Sequence, residues 1–130
     1  MADKLKFSLV SPEAELFSGE VDQVDVPGTE GDFGVFAQHA PFMAAIRTGA
    51  ITVFNDGTET KYMIEGGFAD VTPDGLTILA EKCKQLDDIT AEMLDEDIKK
   101  AEAHLANTEG DARLDIAQHL DGLRQLAGSI

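Results

Sequence analysis

The stretch Ile51–Ile64, ITVFNDGTETKYMI, decides the fold class of this 130-residue chain. Ile51-Thr52-Val53-Phe54 and Lys61-Tyr62-Met63-Ile64 are rich in β-branched and aromatic residues, which suit a pleated, half-buried surface. Between them, Asp56-Gly57 supplies two residues that tolerate positive φ, so the stretch reads as a tight β-hairpin. The same pattern recurs on either side. Lys4–Val10 alternates cleanly between polar and apolar, Glu20–Val26 nearly so, and Leu76-Thr77-Ile78-Leu79 is a further strand candidate. Turn signals separate these runs at Ser11-Pro12, Pro27-Gly28, Gly66-Gly67 and Pro73-Asp74-Gly75. Many short strands with no helical period among them predict a β-sandwich or barrel.

Near residue 87 the period changes. Leu94, Ile98, Ala101 and Leu105 form one stripe of an amphipathic helix, with Asp88 or Thr90 as its N-cap. Asn107-Thr108-Glu109-Gly110-Asp111 breaks the pattern, and Ile116, Leu120, Leu123 and Ala127 form a second stripe at the same spacing. The expected fold is therefore an all-β N-terminal sandwich over residues 1–86 followed by an antiparallel two-helix hairpin over 87–130. So small a hairpin buries few large side chains, each contributing about 1.5–3 kcal/mol before ordering entropy is subtracted. It needs the sandwich or a partner to be stable, and two-state behaviour is physically reasonable for it.

Composition excludes several classes of function. The net charge of −15 argues against nucleic acid or anionic membrane as a partner, because phosphate contact needs clustered Lys and Arg. No run approaches the roughly 18 apolar residues of a membrane span, so direct membrane insertion is not expected. The start, MADKLKFSLVSPEAE, carries no apolar stretch of signal-peptide length and is too acidic for a transit peptide. The single cysteine, Cys83, has no internal disulfide partner and reads as a small packed side chain.

The segment Val26–Ile46, VPGTEGDFGVFAQHAPFMAAI, carries the functional signal. Gly28, Gly31 and Gly34 recur every third residue with Glu30 and Asp32 between them, and a His-Ala-Pro turn follows at 39–41. The glycines suit a shaped loop between short strands. The segment has neither a Ser nor a Cys nucleophile, and with acids in place of Lys it would repel phosphate. It is built for contact. His39, His104 and His119 have no second ligand at a metal-site spacing, so no metal, cofactor or catalytic residue is expected. Among residue-level readings an interaction module leads, and an enzyme is disfavoured.

Four motifs then point to a family. VSPE…LFSG at Val10–Gly19, VPGTEGDFGV at Val26–Val35, the QHAP turn at Gln38–Pro41 and GG-x-x-x-V at Gly66–Val71 stand in the order and spacing of one known group. Over residues 5–85, with a helical hairpin after them, the chain resembles the epsilon subunit of F-type ATP synthases, called delta in mitochondria. The resemblance implies a rotor subunit of the central stalk that couples proton-driven c-ring rotation to ATP synthesis in the catalytic head. Its sandwich would bind the gamma subunit, and its hairpin would be a further contact with the alpha and beta subunits. It would lie peripherally on the cytoplasmic face of a bacterial inner membrane. By position, Glu30, Asp32 and His39 would touch the c-ring, with Gly28, Gly31 and Gly34 letting the loop lie flat against it.

The resemblance also implies regulation, as an ATP-sensing inhibitor of hydrolysis, and here the chain departs from the pattern. Some members bind ATP through Ile/Leu-Asp-x-x-Arg-Ala at the start of helix one, helped by arginines on helix two. This chain has Thr90, Met93 and Leu94 at the Asp, Arg and Ala positions, and Gln118 and Gly122 where the helix-two arginines would fall. Without those guanidiniums the phosphates lose their partners, so no ATP site is expected. Helix two carries Asp111, Asp115 and Asp121 against Arg113 and Arg124, a poor match for the acidic surfaces that an extended hairpin grips elsewhere in the family. The hairpin is expected to stay folded and to inhibit weakly or not at all.

Overall fold

In the computed structural model, which describes residues 4–37 and 41–128, the Asp-Gly hairpin forms where the sequence places it. Strands β6 (Gly49–Asn55) and β7 (Thr58–Thr72) pair antiparallel from Gly49↔Ile64 to Asn55↔Thr58. Asp56 (φ 52°) and Gly57 (φ 78°) both turn through the left-handed region, matching the twist of the strands they join. The other strands are β1 (Leu5–Val10), β2 (Glu15–Val21), β3 (Gln23–Gly28), β4 (Gly31–Phe36), β5 (Phe42–Ile46) and β8 (Gly75–Gln85). A 3-10 turn at Leu86–Asp88 leads into α1 (Ala91–Ala106), and α2 (Ala112–Ala127) follows.

The pairing resolves into two layers. One runs β2-β1-β8-β7-β5 and uses Gly75–Ala80 of β8 and Gly67–Thr72 of β7. The other runs β4-β3-β6-β7-β8 and uses the first half of β7 and the last residues of β8. The two long strands thus belong to both layers, changing partners at Glu65-Gly66-Gly67. Leu5, Phe7, Leu9, Val24, Val26, Ile51, Val53, Ile64, Leu76 and Ile78 fill the space between the layers, all inward-facing by period-two alternation.

Three local readings are corrected. The glycine-rich segment contains strands β4 and β5, not one shaped loop, because β3 folds back on β4 with Gly28↔Gly31 closing a two-residue turn. Glu20–Val26 is not one strand. Its break falls at Asp22, whose carboxylate meets Lys4 Nζ at 2.8 Å and accepts from the Asp56 N–H at 2.8 Å. Those bonds hold the Asp22 carboxyl below its ordinary value, the Lys4 contact first. Gly66-Gly67 does not end a strand. It lies inside β7, where the chain bends from one layer to the other.

A second core lies outside the sandwich. Tyr62, Met63 and Ile64 are buried in succession, which a strand achieves only when both faces are covered. Tyr62 and Ile64 face the sandwich interior, whereas Met63 and its partner Ala50 face the helices. Against them pack Ile89, Leu94, Ala101, Leu120, Leu123 and Leu126, with Ile98, Leu105 and Ala127 partly covered. The first stripe matches the expectation. In the second, Leu126 takes the buried place expected of Ile116, which is only half-buried. Thr90 is the N-cap, its Oγ1 accepting from the Met93 N–H at 3.2 Å. Gly110 (φ 80°) turns the chain between the helices.

Candidate functional site

The acidic segment is a projecting hairpin tip. Thr29 and Glu30 form the turn, and both are exposed. A Cβ at Gly28 would meet the Gly31 carbonyl oxygen and the Phe33 ring, so the close strand crossing excludes a side chain there. Gly31 sits at φ 138° with open space around it, so its requirement is conformational alone. Gly34 lies opposite Asp25, whose Oδ1 would be 3.0 Å from an added Cβ. The glycines therefore shape a tight two-stranded tip. Phe33 packs edge-on against Phe42 (centroids 5.2 Å, 71°), anchoring the base of the tip to β5.

The two acids differ in their surroundings. Glu30 is exposed at the turn. Asp32 is 70% exposed yet bonded at 2.6 Å to Arg47 Nη2, so part of its charge is matched within the chain. The third expected contact, His39, lies outside the described residues.

Behind the tip, helix α2 docks on the strand corner at Arg47-Thr48-Gly49. Thr48 is a buried polar residue, and its Oγ1 lies 2.6 Å from His119 Nδ1. His119 Nε2 faces Glu65 Oε1 at 3.6 Å, so the ring bridges β7 and the Thr48 corner. Gly122 presses on the Thr48 carbonyl so closely that a Cβ could not be accommodated. Gln118 Nε2 donates to the Thr29 carbonyl at 3.4 Å, and Arg47 Nη1 donates to Gln125 Oε1 at 3.5 Å. Sequence reasoning missed this interface. Its polar members fall in three separate places, Arg47-Thr48, Glu65 and Gln118-His119, and only the absence of a side chain at Gly122 hinted at a close approach.

The positions where an ATP-binding pattern would fall have other work. Thr90 caps α1, Leu94 is fully buried, and Met93 packs partly against the second core. Of the helix-two arginines, Arg113 donates to the Thr108 carbonyl at 2.9 Å, and Arg124 pairs with Glu102 on α1 at 3.0 Å. Burial pushes the Cys83 thiol up to about 11, so it stays protonated and unreactive at neutral pH. Among the described residues no group of three or more His, Cys, Asp or Glu gathers as a metal site, and no helix is long and apolar enough to cross a membrane.

Residues 4–85, which comprise all the strands, match the model of the family described as ATP synthase, Delta/Epsilon chain, beta-sandwich domain. The chain belongs to that family. Among relatives of the family, the ATP synthase epsilon chain of Maricaulis maris is 62% identical over 101 residues, covering 78% of this chain and 76% of that one. The epsilon chain of Parvibaculum lavamentivorans is 46% identical over 132 positions and covers both chains completely. In a solved structure of the Euglena gracilis mitochondrial ATP synthase (OSCP/F1/c-ring), one chain shares the fold with a TM-score of 0.79 at 22% identity, covering 97% of this chain and 81% of that one. A chain of the Tetrahymena thermophila mitochondrial ATP synthase central stalk/c-ring gives 0.73 at 10% identity, covering 98% and 96%. The fold match takes in the helical hairpin as well as the strands.

Proposed function

We propose that this chain is the epsilon-type rotor subunit of a bacterial F-type ATP synthase, a part of the central stalk that transmits c-ring rotation and performs no chemistry itself. It sits on the cytoplasmic face of the inner membrane, held there by other subunits. Agreement with epsilon chains over the whole length carries this reading, sandwich and hairpin alike. Two surfaces divide the work. The outer face of the β2-β1-β8-β7-β5 layer exposes Met43, Phe68 and Leu79, an apolar stripe that suits the gamma subunit. The tip presents Glu30 and Asp32, with His39 as the third contact, to basic loops of the c-ring. Rim charges of this kind set orientation and encounter rate more than affinity.

Co-purification with gamma and c-ring tests the assignment. Glu30→Lys with Asp32→Lys is expected to weaken ring association by roughly tenfold while gamma binding is retained. Phe68→Asp is expected to do the reverse. Loss of neither association in either variant would overturn the surface assignment.

The hairpin is read as nucleotide-blind and weakly or non-inhibitory. Supporting this, Thr90 and Leu94 are committed to the cap and core of the hairpin, and Arg124 to its cross-helix pair. Calorimetry of the full-length chain with millimolar ATP, with and without magnesium, is expected to give no heat beyond dilution. Saturable one-to-one binding would instead make the hairpin an ATP-gated switch.

A further inference from the structure

We infer that the docked helix α2 is a brace for the acidic tip, with Arg47 the positioning residue that joins them. Three observations converge on this. Arg47 Nη2 holds Asp32 Oδ1 at 2.6 Å, while Nη1 of the same guanidinium reaches Gln125 Oε1 on α2 at 3.5 Å. The Gln125 amide is itself oriented by donating to Asp121 Oδ2 at 3.1 Å, which leaves its oxygen towards Arg47. One turn and more away along the same helix, Gln118 donates to the carbonyl of Thr29, within the tip turn itself. Between these two contacts Gly122 seats the helix against Thr48, the residue next to Arg47.

The geometry links the tip to the helix surface behind it. A two-stranded hairpin tip is marginally ordered alone, and Asp32 is held to the body by a guanidinium whose other branch is shared between the Thr48 carbonyl at 3.4 Å and Gln125 on the helix at 3.5 Å. Arg suits this joint because its planar fork sets two separate nitrogens at a fixed spacing, Nη2 towards Asp32 and Nη1 towards Gln125. Arg47 is mostly covered (19% exposed), so its position is set by packing as well as charge. When α2 is seated, the tip is held in one orientation. When α2 lifts, Thr29 and Arg47 lose their helix partners together. The tip then keeps only its ties to the sandwich, among them the Thr29 N–H bond to the Ala45 carbonyl at 3.0 Å, and gains mobility. The state of the C-terminal hairpin is thereby transmitted to the surface that meets the ring. That functional meaning rests on the tip being the ring-facing surface; the mechanical coupling does not.

Hydrogen exchange of the isolated full-length chain tests the coupling, read on amides 29–33. Gly122→Ala, which leaves Arg47 and Asp32 untouched, is expected to speed exchange at the tip by roughly tenfold through undocking of the helix alone. Arg47→Ala is expected to speed tip exchange comparably while α1 and α2 keep their protection. Arg47→Lys is expected to resemble Arg47→Ala, because a single nitrogen replaces the two separated ones that reach Asp32 and Gln125. In the Arg47→Ala background, Gly122→Ala is expected to add much less at the tip than it does in the native chain. An unchanged tip in the Gly122→Ala chain, or fully additive effects, would overturn the brace. Ring association is measured separately. A tip that fails to bind a ring leaves the exchange result standing, and a tip insensitive to the helix overturns the brace whatever the ring does.

Discussion

Replacing Gly122 by Ala is expected to undock the helical hairpin, although the same change favours the helix itself. Ala in place of Gly raises intrinsic helix stability by about 1 kcal/mol. Here the new Cβ would collide with the Thr48 carbonyl oxygen and crowd the Thr48 Cβ at 3.0 Å. A backbone carbonyl has no alternative rotamer, so α2 must shift away from the strand corner. The shift costs roughly 1–3 kcal/mol as overpacking. It also strains the Thr48–His119, Gln118–Thr29 and Arg47–Gln125 contacts, each worth about 0.5–1.5 kcal/mol. The balance is a docked state weaker by roughly 2–3 kcal/mol, a thirtyfold or larger rise in the open population at about 1.4 kcal/mol per tenfold. Limited proteolysis in the segment between β8 and α1 reports that population when opening is fast relative to cleavage. Faster cleavage with circular-dichroism helicity preserved is the expected result. Unchanged or slower cleavage would mean the corner yields, and that helix propensity decides the outcome.

Gly67→Ala is expected to damage the sandwich severely. Gly67 has φ 148°, and an added Cβ would strike the Leu79 carbonyl oxygen and stand 3.0 Å from the Ala80 Cα. Strain and collision act together at the point where β7 passes between layers, so no local adjustment relieves one without worsening the other. A loss of roughly 3 kcal/mol or more is expected. That is a large share of the roughly 5–15 kcal/mol that holds a domain folded, and the melting temperature should fall by about 10 °C or more. Gly31→Ala is the matched comparison. Its φ of 138° is similarly demanding, but nothing lies within 4 Å of the added carbon. Only the conformational cost remains, roughly 1–2 kcal/mol, with a correspondingly smaller shift. Equal melting temperatures for the two variants would refute the collision argument.

Local patterns carried much of the architecture because they depend on neighbours in sequence. Asp56-Gly57 can only turn, the alternation in Leu5, Phe7 and Leu9 faces one way in any sheet, and Thr90 caps a helix from its own side chain. Tyr62, Met63 and Ile64 read as a half-buried strand, and their consecutive burial was not legible because what covers the outer face lies far along the chain. Gly66-Gly67 misled because a glycine pair marks either a turn or a bend. The choice depends on whether strands lie alongside, here β5 and β8. Gly28, Gly31 and Gly34 likewise named a constrained segment without saying that it would pair with itself.

By itself the sequence determined the strand-rich first part, the helical hairpin, the absence of Ser and Cys from the acidic segment, and the family. Each follows from the order of side chains along a few residues. Only the tertiary structure decided that helix α2 seats on Thr48, that His119 spans from Thr48 to Glu65, and that Arg47 holds Asp32 while reaching the helix. Those partners lie 15 to 78 positions apart. A contact of that range is selected by how two finished surfaces fit, and a bare Gly122 acquires its meaning only when the Thr48 carbonyl is brought against it.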